Sequence, residues 1–219
     1  LAYRLPSLLD TNQEAHWIHS NGTDMALLLS ADPDLQPEEN RTLELGYLGR
    51  LPKLKLDIDL KLFHEQISHG IGRVMSLDPR PLNSTTRIGS NNNQWRANGL
   101  ETQFKFRPSP LFWLALQYSY LDLEGQSKGG DTSTADLELG QRTSRHSAGL
   151  LANHRLPKDW DLSLNYYHQS ATSFFSGDQI DSYQRLDTRL AKSFSQGNTE
   201  TKIALVVQNL LDEGYAEYQ

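Results

Sequence analysis

Strict alternation of apolar and polar side chains is the feature of this sequence that most limits its fold. In residues 54–62, five apolar residues alternate with four charged ones. Successive side chains of a β-strand point to opposite faces, so the pattern predicts a strand with one apolar and one polar face. Further copies occur at residues 99–107, 112–120, 160–166, 185–190 and 202–208, with weaker ones at 42–50 and 145–156. The alternation predicts about eight strands and no convincing helix.

Short and long connections follow one another along the chain. The short ones are turns rich in Pro, Gly and Asn, at residues 51–53, 108–110, 157–159 and 195–198. The long ones are polar stretches at residues 64–98, 122–144 and 169–182, and an irregular segment at 5–41 precedes the first strand. Compact soluble domains rarely have several such long loops. The layout predicts an antiparallel, all-β transmembrane barrel with short periplasmic turns and long extracellular loops.

A soluble antiparallel barrel or sandwich is the alternative, because one buried face produces the same alternation. Aromatic residues at the strand ends favour the membrane barrel. Phe112, Trp113 and Trp160 could form a girdle at the membrane surface, although an aromatic residue in a strand is more often part of the core.

Composition excludes several classes of protein. The 219 residues include 27 acidic and 21 basic ones, a net charge of −6 that argues against a nucleic-acid binder. With no cysteine, disulfides and thiolate sites are excluded. The longest apolar run, residues 111–116, is too short for a transmembrane helix. The first residues lack the charged and apolar regions of a signal peptide, so none is expected.

Catalytic motifs are missing from the sequence. The stretch at residues 64–69 reads HEQISH, one residue too long for the zinc motif His-Glu-x-x-His. Neither a nucleophile elbow nor a phosphate-binding loop occurs, and no Ser/His/Asp cluster can be assembled from spacing. We therefore expect no enzyme, no bound cofactor and no metal site.

Several segments resemble, in family order, the C-terminal part of the barrel of TonB-dependent outer-membrane receptors. Residues 2–10, AYRLPSLLD, resemble the phrase Arg-x-Pro-Ser-Leu-x-Glu, and residues 31–47 resemble the box Asn-Pro-x-Leu-x-Pro-Glu. Residues 99–110, 183–194 and 206–218 resemble later strands and the closing phrase Asn-Leu-x-Asp-Glu-x-Tyr. The resemblance implies that residues 1–219 are one partial barrel domain, contributing about eight of about 22 strands.

The same resemblance implies a function. Such receptors import a scarce ligand across the bacterial outer membrane, driven by the TonB complex acting through a plug domain. The matches include neither the plug nor the final strand, so we expect an internal piece of a longer receptor. A ferric siderophore is the expected ligand, with haem and cobalamin as alternatives. Outer-membrane lipid is the other expected partner.

The long loops are where these receptors contact their ligands, and five residues there are candidates. They are His16, Trp17, His19, Trp95 and Arg96. In a haem receptor one of the two histidines would coordinate iron, whereas in a siderophore receptor the aromatic and basic residues would matter more. Three further loop residues, Arg73, Phe174 and Phe175, are weaker candidates.

Overall fold

The computed structural model describes residues 1–128, 139–173, 179–197, 199–212 and 214. The elements follow one another in the order β1 (Ala2–Arg4), α1 (Leu8–Asn12), β2 (Glu14–Ile18), β3 (Asp24–Ser30), β4 (Glu38–Leu51), β5 (Leu56–Leu77), β6 (Thr85–Ser109), β7 (Phe112–Ser127), α2 (Leu139–Arg142), β8 (His146–Leu156), β9 (Trp160–Gln169), β10 (Thr172–Ser173), β11 (Gln179–Ile180), β12 (Tyr183–Gln196) and β13 (Thr199–Val207). A single 3₁₀ turn, Pro52–Leu54, joins β4 to β5. In the described part of the chain, neither helix has the length or apolarity to cross a membrane.

Nearly all strands belong to one sheet. Neighbouring strands follow the order β1-β4-β5-β6-β7-β8-β9-β12-β13, while β2 and β3 join through β6, and β10 and β11 pair separately. The long strands β4 to β9, β12 and β13 are the eight that the alternation predicts, each paired with its neighbour in sequence. The predicted all-β fold is therefore confirmed as an antiparallel barrel segment.

The chain divides into two compact units. The first unit comprises Leu1–Leu43, His64–Asn98 and Asp122–Gly140, and the second unit comprises Glu44–Phe63, Gly99–Leu121 and Gln141–Gln219.

The short turns are confirmed where they are described. Lys55 adopts a left-handed conformation (φ 55°) after the 3₁₀ turn, and Lys158 and Asp159 (φ 60° and 57°) do so between β8 and β9. Gly197 (φ 59°) reverses the chain between β12 and β13. Three of these four positions carry a side chain, which costs energy at positive φ, so the tight reversal outweighs the local preference there.

The expectation of a long loop at residues 64–98 is wrong. β5 continues to Leu77 and β6 begins at Thr85, so only residues 78–84, the hairpin tip, lie between them. Alternation fails here because His64–Gln66 and Asn91–Asn93 place polar side chains on both faces of the strands. His69, at φ 55°, also interrupts the regular strand conformation.

The segment at residues 5–41 is also more regular than expected. Ser7 caps the short helix α1: the Asp10 N–H donates to Ser7 Oγ (3.2 Å), and the Ser7 N–H donates to Asp10 Oδ2 (2.9 Å). β2 and β3 then form an antiparallel hairpin, and β3 pairs in parallel with β6 at Leu29–Arg87 and Ser30–Ile88. The expectation of no convincing helix is thus wrong for two short helices, α1 and α2.

Candidate functional site

In the second unit, one face of the sheet lines an open cavity of about 1020 Å³. Most of the residues that line it have odd numbers, because alternate residues of a strand share a face. The charged and aromatic residues among those with odd numbers are Lys105, Arg107, Trp113, Tyr167, Tyr183, Arg185 and Asp187. The predicted polar face of these strands is therefore the cavity face.

Cations outnumber carboxylates among the described residues that line this cavity. The lining includes three cations, Lys105, Arg107 and Arg185, and one carboxylate, Asp187. Asp187 is itself engaged, since Arg185 Nε donates to its Oδ1 (2.9 Å) and the Asn209 N–H donates to the same oxygen (2.9 Å). The cavity combines net positive charge with aromatic rings, a combination suited to an anionic ligand.

Trp113 lines this cavity and does not face outward, so its place in an outer girdle is wrong. Phe112, the preceding residue, lies on the opposite face, where its ring packs edge-on against His154 with centroids 5.5 Å apart. Consecutive residues of a strand face opposite sides, so Phe112 and Trp113 cannot both belong to one girdle.

The opposite face of the second unit, called the outer face here, is apolar at its centre. Leu114, Ala152, Leu164 and Thr188 form one row of paired residues across it, and Leu116, Leu150, Tyr166 and Leu186 form the next.

Aromatic and polar side chains border the apolar rows at both ends. At one end Trp160 lies beside Lys192, and at the other the Tyr118 hydroxyl lies 2.9 Å from His146 Nδ1. On β9 the distance from Trp160 to His168 is roughly 26 Å of strand. At the usual tilt of membrane strands this spans roughly 20 Å, comparable to the apolar band of an outer-membrane barrel.

In the first unit, an ionic network joins the β2–β3 hairpin to the hairpin tip. Arg80 Nε lies 3.1 Å from Asp24 Oδ2, and Arg80 Nη1 lies 2.8 Å from Asp78 Oδ1. His16 is placed between two carboxylates, with Nδ1 2.9 Å from Asp24 Oδ2 and Nε2 3.3 Å from Glu14 Oε2. Hydrogen bonds to Asp24 and then Glu14 raise the pKa of His16 above its ordinary value.

Asp78 anchors the tip to β3. Its side chain is 2% exposed, and its Oδ2 accepts the Leu27 N–H at 2.6 Å. Burial alone would raise the pKa of this carboxyl, but hydrogen bonds from Leu27 and Arg80 outweigh burial and hold the pKa below its usual value. Backbone hydrogen bonds complete the joint: the Leu82 N–H donates to the Met25 carbonyl at 3.0 Å.

The structure brings three of the five candidate residues together. His16 and Trp17 lie in β2, with Trp17 47% exposed, and His19 lies in the turn of the same hairpin, where its N–H donates to the Thr23 carbonyl (2.8 Å). Trp95 and Arg96 lie within β6 and not in a loop.

Trp95 is held against β5, where a side chain at Gly70 would collide with its ring. It lies eight residues beyond Arg87, which pairs with β3, and eight residues correspond to roughly 26 Å of strand. The two groups of candidates therefore do not form one cluster. Phe174 and Phe175 lie outside the described residues.

The candidates from the sequence include neither the residues of the ionic network in the first unit nor the charged residues of the cavity in the second. Asp78 and Arg80 belong to Asp-Pro-Arg-Pro, a turn signal with an extended pattern on either side, which could have revealed a hairpin tip within residues 64–98. The cavity residues Lys105, Arg107 and Arg185 occupy the polar positions of well-predicted strands, so their common face was available from parity.

Comparison with known proteins shows the family to which this chain belongs. Its residues 2–210 match the family model described as TonB dependent receptor-like, beta-barrel. The chain therefore belongs to the TonB-dependent receptor family, as its motifs predict. No curated protein matches significantly.

Solved structures of outer-membrane receptors share the fold at low identity. The ferric-catecholate import receptor Fiu from E. coli is 18% identical, with a TM-score of 0.63, and the match covers 85% of this chain and 25% of Fiu. The siderophore receptor PiuA from Acinetobacter baumannii is 17% identical, with a TM-score of 0.61, covering 82% of this chain and 25% of PiuA. The FrpB iron transporter from Neisseria meningitidis is 10% identical, with a TM-score of 0.63, covering 85% and 29%.

The chain thus spans about a quarter of the length of the solved relatives it matches. The family consists of outer-membrane β-barrels that transport ligands and are not enzymes, so the prediction that the chain is not an enzyme is confirmed. Membership also decides against the soluble barrel.

Proposed function

We propose that this chain is part of an outer-membrane receptor that imports a ferric siderophore by TonB-dependent transport. Family membership supports the class of transporter. Fiu is described as a ferric-catecholate importer, PiuA as a siderophore receptor, and a further structural relative as a ferripyoverdine receptor bound to ferripyoverdine. In this proposal the TonB complex acts through a plug domain elsewhere in the receptor.

The observation that carries the proposal is the charge of the cavity in the second unit. Lys105, Arg107 and Arg185 line it together with aromatic rings. An iron chelate formed by anionic oxygen donors carries negative charge and often aromatic rings, so both features favour its passage.

Ligand contacts in the first unit are also proposed. Trp17 offers an exposed ring at the β2–β3 hairpin. Farther along β6, Trp95 offers an aromatic group on one face of the strand and Arg96 a cationic group on the other. His16 and His19 are the remaining candidates, at the β2–β3 hairpin. A ligand reaching both positions would have to be large, because the positions are separated along β6.

Haem and cobalamin are the alternative ligands. Both ring nitrogens of His16 lie within hydrogen-bonding distance of carboxylates, so coordinating iron would require His16 to leave Asp24 or Glu14. The network therefore favours a structural role for His16, and a siderophore arrives with its iron already coordinated.

The test is uptake by the complete receptor, expressed in a strain that lacks its other iron receptors. Ferric siderophores, haem and cobalamin are supplied one at a time, with and without TonB. We expect TonB-dependent uptake of a siderophore, unchanged in the double variant His16→Ala/His19→Ala and reduced in Trp17→Ala and Arg96→Ala.

Lys202→Gln is the matched control, because Lys202 lies in β13, pairs with Ser193 of β12 and is far in sequence from the candidate residues. Growth on haem that disappears in the double histidine variant, with no siderophore uptake, would contradict the proposal.

A further inference from the structure

The outer face of the second unit carries a cation at the border of its apolar rows. Lys192 lies in β12, paired with Trp160 on one side and Ile203 on the other. Its Nζ lies 5.8 Å from the centre of the Trp160 ring and 5.6 Å from that of Phe194. The same Nζ donates to the Lys158 carbonyl in the β8–β9 turn.

This arrangement fixes the direction of the ammonium group. Two rings and a turn carbonyl hold Nζ at the strand end, whereas a lysine alone on a strand would sample many rotamers. Trp160 is 39% and Phe194 49% exposed, so the rings extend the apolar surface while the charge remains at its edge.

Further basic groups lie near Lys192, and the nearest strand carboxylate faces away. His154 and Lys158 are exposed, and the ring of His154 packs against Phe112 on the same face. Asp161 lies on the opposite face, where its Oδ1 accepts from Asn153 Nδ2 (3.1 Å) and lies 3.6 Å from Arg189. The β8–β9 turn also carries the exposed carboxylate of Asp159, which offsets the charge of Lys158. The Lys192 ammonium therefore provides the net positive charge where the apolar rows end.

We propose that Lys192, framed by Trp160 and Phe194, binds the phosphate of an anionic glycerophospholipid in the leaflet next to the short turns. The site is continuous with the apolar rows that acyl chains would cover, and its charge is complementary to a phosphate. An ammonium has three N–H donors, and the Lys158 carbonyl accepts from one of them. This inference rests on the proposed membrane location.

The test uses the complete receptor in detergent, titrated with phosphatidylglycerol and observed by native mass spectrometry. We expect Lys192→Gln to weaken phosphatidylglycerol binding about fivefold, which corresponds to about 1 kcal/mol for one lysine at an anionic surface. Lys192→Arg restores binding, and Lys202→Gln, which removes a charge from the opposite face of β13, leaves it unchanged.

Two results would overturn the inference: phosphatidylglycerol binding unchanged in Lys192→Gln, or weakened equally in Lys202→Gln. Heat-modifiable migration in gels, measured for every variant, shows that the barrel has folded. A wild-type receptor that lacks this migration and fractionates without membranes would contradict the proposed function instead, so the two failures are distinguishable.

Discussion

The two units of this chain place polar side chains in opposite ways. Among the described residues, the buried polar and charged side chains all lie in the first unit: Glu38, Asp78, Thr86, Ser90 and Asn93. Large apolar side chains are exposed in both units, for example Leu77 (78%) in the first and Leu205 (65%) in the second, so the units differ in their buried polar side chains.

The difference teaches that the surroundings decide the pattern of a strand more than the strand itself does. β5 and β6 contribute residues to both units, and their alternation is regular only in the second. A strand that faces lipid must be apolar on one side, whereas a strand in water is stabilised by hydrogen bonds and ion pairs to its neighbours.

The largest effect is expected from a charge on the outer face of the second unit. Leu114→Arg or Leu164→Arg should destabilise the barrel by about 2–4 kcal/mol, because the guanidinium would face the centre of the bilayer. We expect a similar destabilisation for Leu60→Arg in β5. Urea unfolding of the receptor in lipid vesicles measures the cost.

The controls are Gln117→Arg and Ser163→Arg, which lie on the cavity face and should be tolerated. Equal cost on the two faces would contradict the membrane orientation of this unit.

A smaller and local effect is expected in the first unit. Asp78→Asn removes the charge that Arg80 and the Leu27 N–H share, so the joint between the tip and β3 should open more often. We expect hydrogen exchange at the Leu27 amide to become about tenfold faster, the effect of losing one hydrogen bond to a charged group.

Asp34→Asn is the matched control, since Asp34 is exposed and belongs to the same unit. Unchanged exchange at Leu27 in Asp78→Asn would show that the carboxylate is not what holds the tip.

The smallest effect is a pH dependence of the β2–β3 hairpin. Because the pKa of His16 is raised in the fold, its protonated form stabilises the hairpin. This stabilisation is complete below the ordinary histidine pKa of 6.5 and is lost as the pH rises through the raised value.

Fluorine NMR of a labelled Trp17 should therefore report a more ordered hairpin at mildly acidic pH. His16→Gln should abolish the dependence. A Trp17 signal that titrates equally in that variant would assign the effect to another group.

The second unit could be predicted from sequence because its strands have one apolar and one polar face. The alternation over residues 54–62 identifies one strand on its own, and the Pro157–Asp159 turn identifies the kind of connection between strands. The structure of the first unit could not be predicted in this way, because it depends on contacts between residues that are distant in sequence. Asp78 and Leu27 are 51 positions apart, and nothing local to either residue indicates the other.

The candidate site was predictable only in part for the same reason. His16, Trp17 and His19 are close in sequence and remain close in the hairpin. Trp95 is separated from them because β6 runs straight through a stretch expected to be a loop. Its contact with Gly70 depends on the register of β5 and β6, which the polar sequence there does not encode clearly.

The parallel pairing of β3 with β6 has a mechanical consequence. β7 reaches β6 as far as Asn92, whose carbonyl accepts the Lys128 N–H (2.9 Å), and β3 pairs with β6 at Arg87 and Ile88. A force along β3 loads these hydrogen bonds in shear, so they must break together. A force that separates β2 from β3 at their turn breaks bonds one at a time. The β3–β6 pair should therefore resist a force along β3 far better than the β2–β3 pair resists a force that separates its strands at the turn.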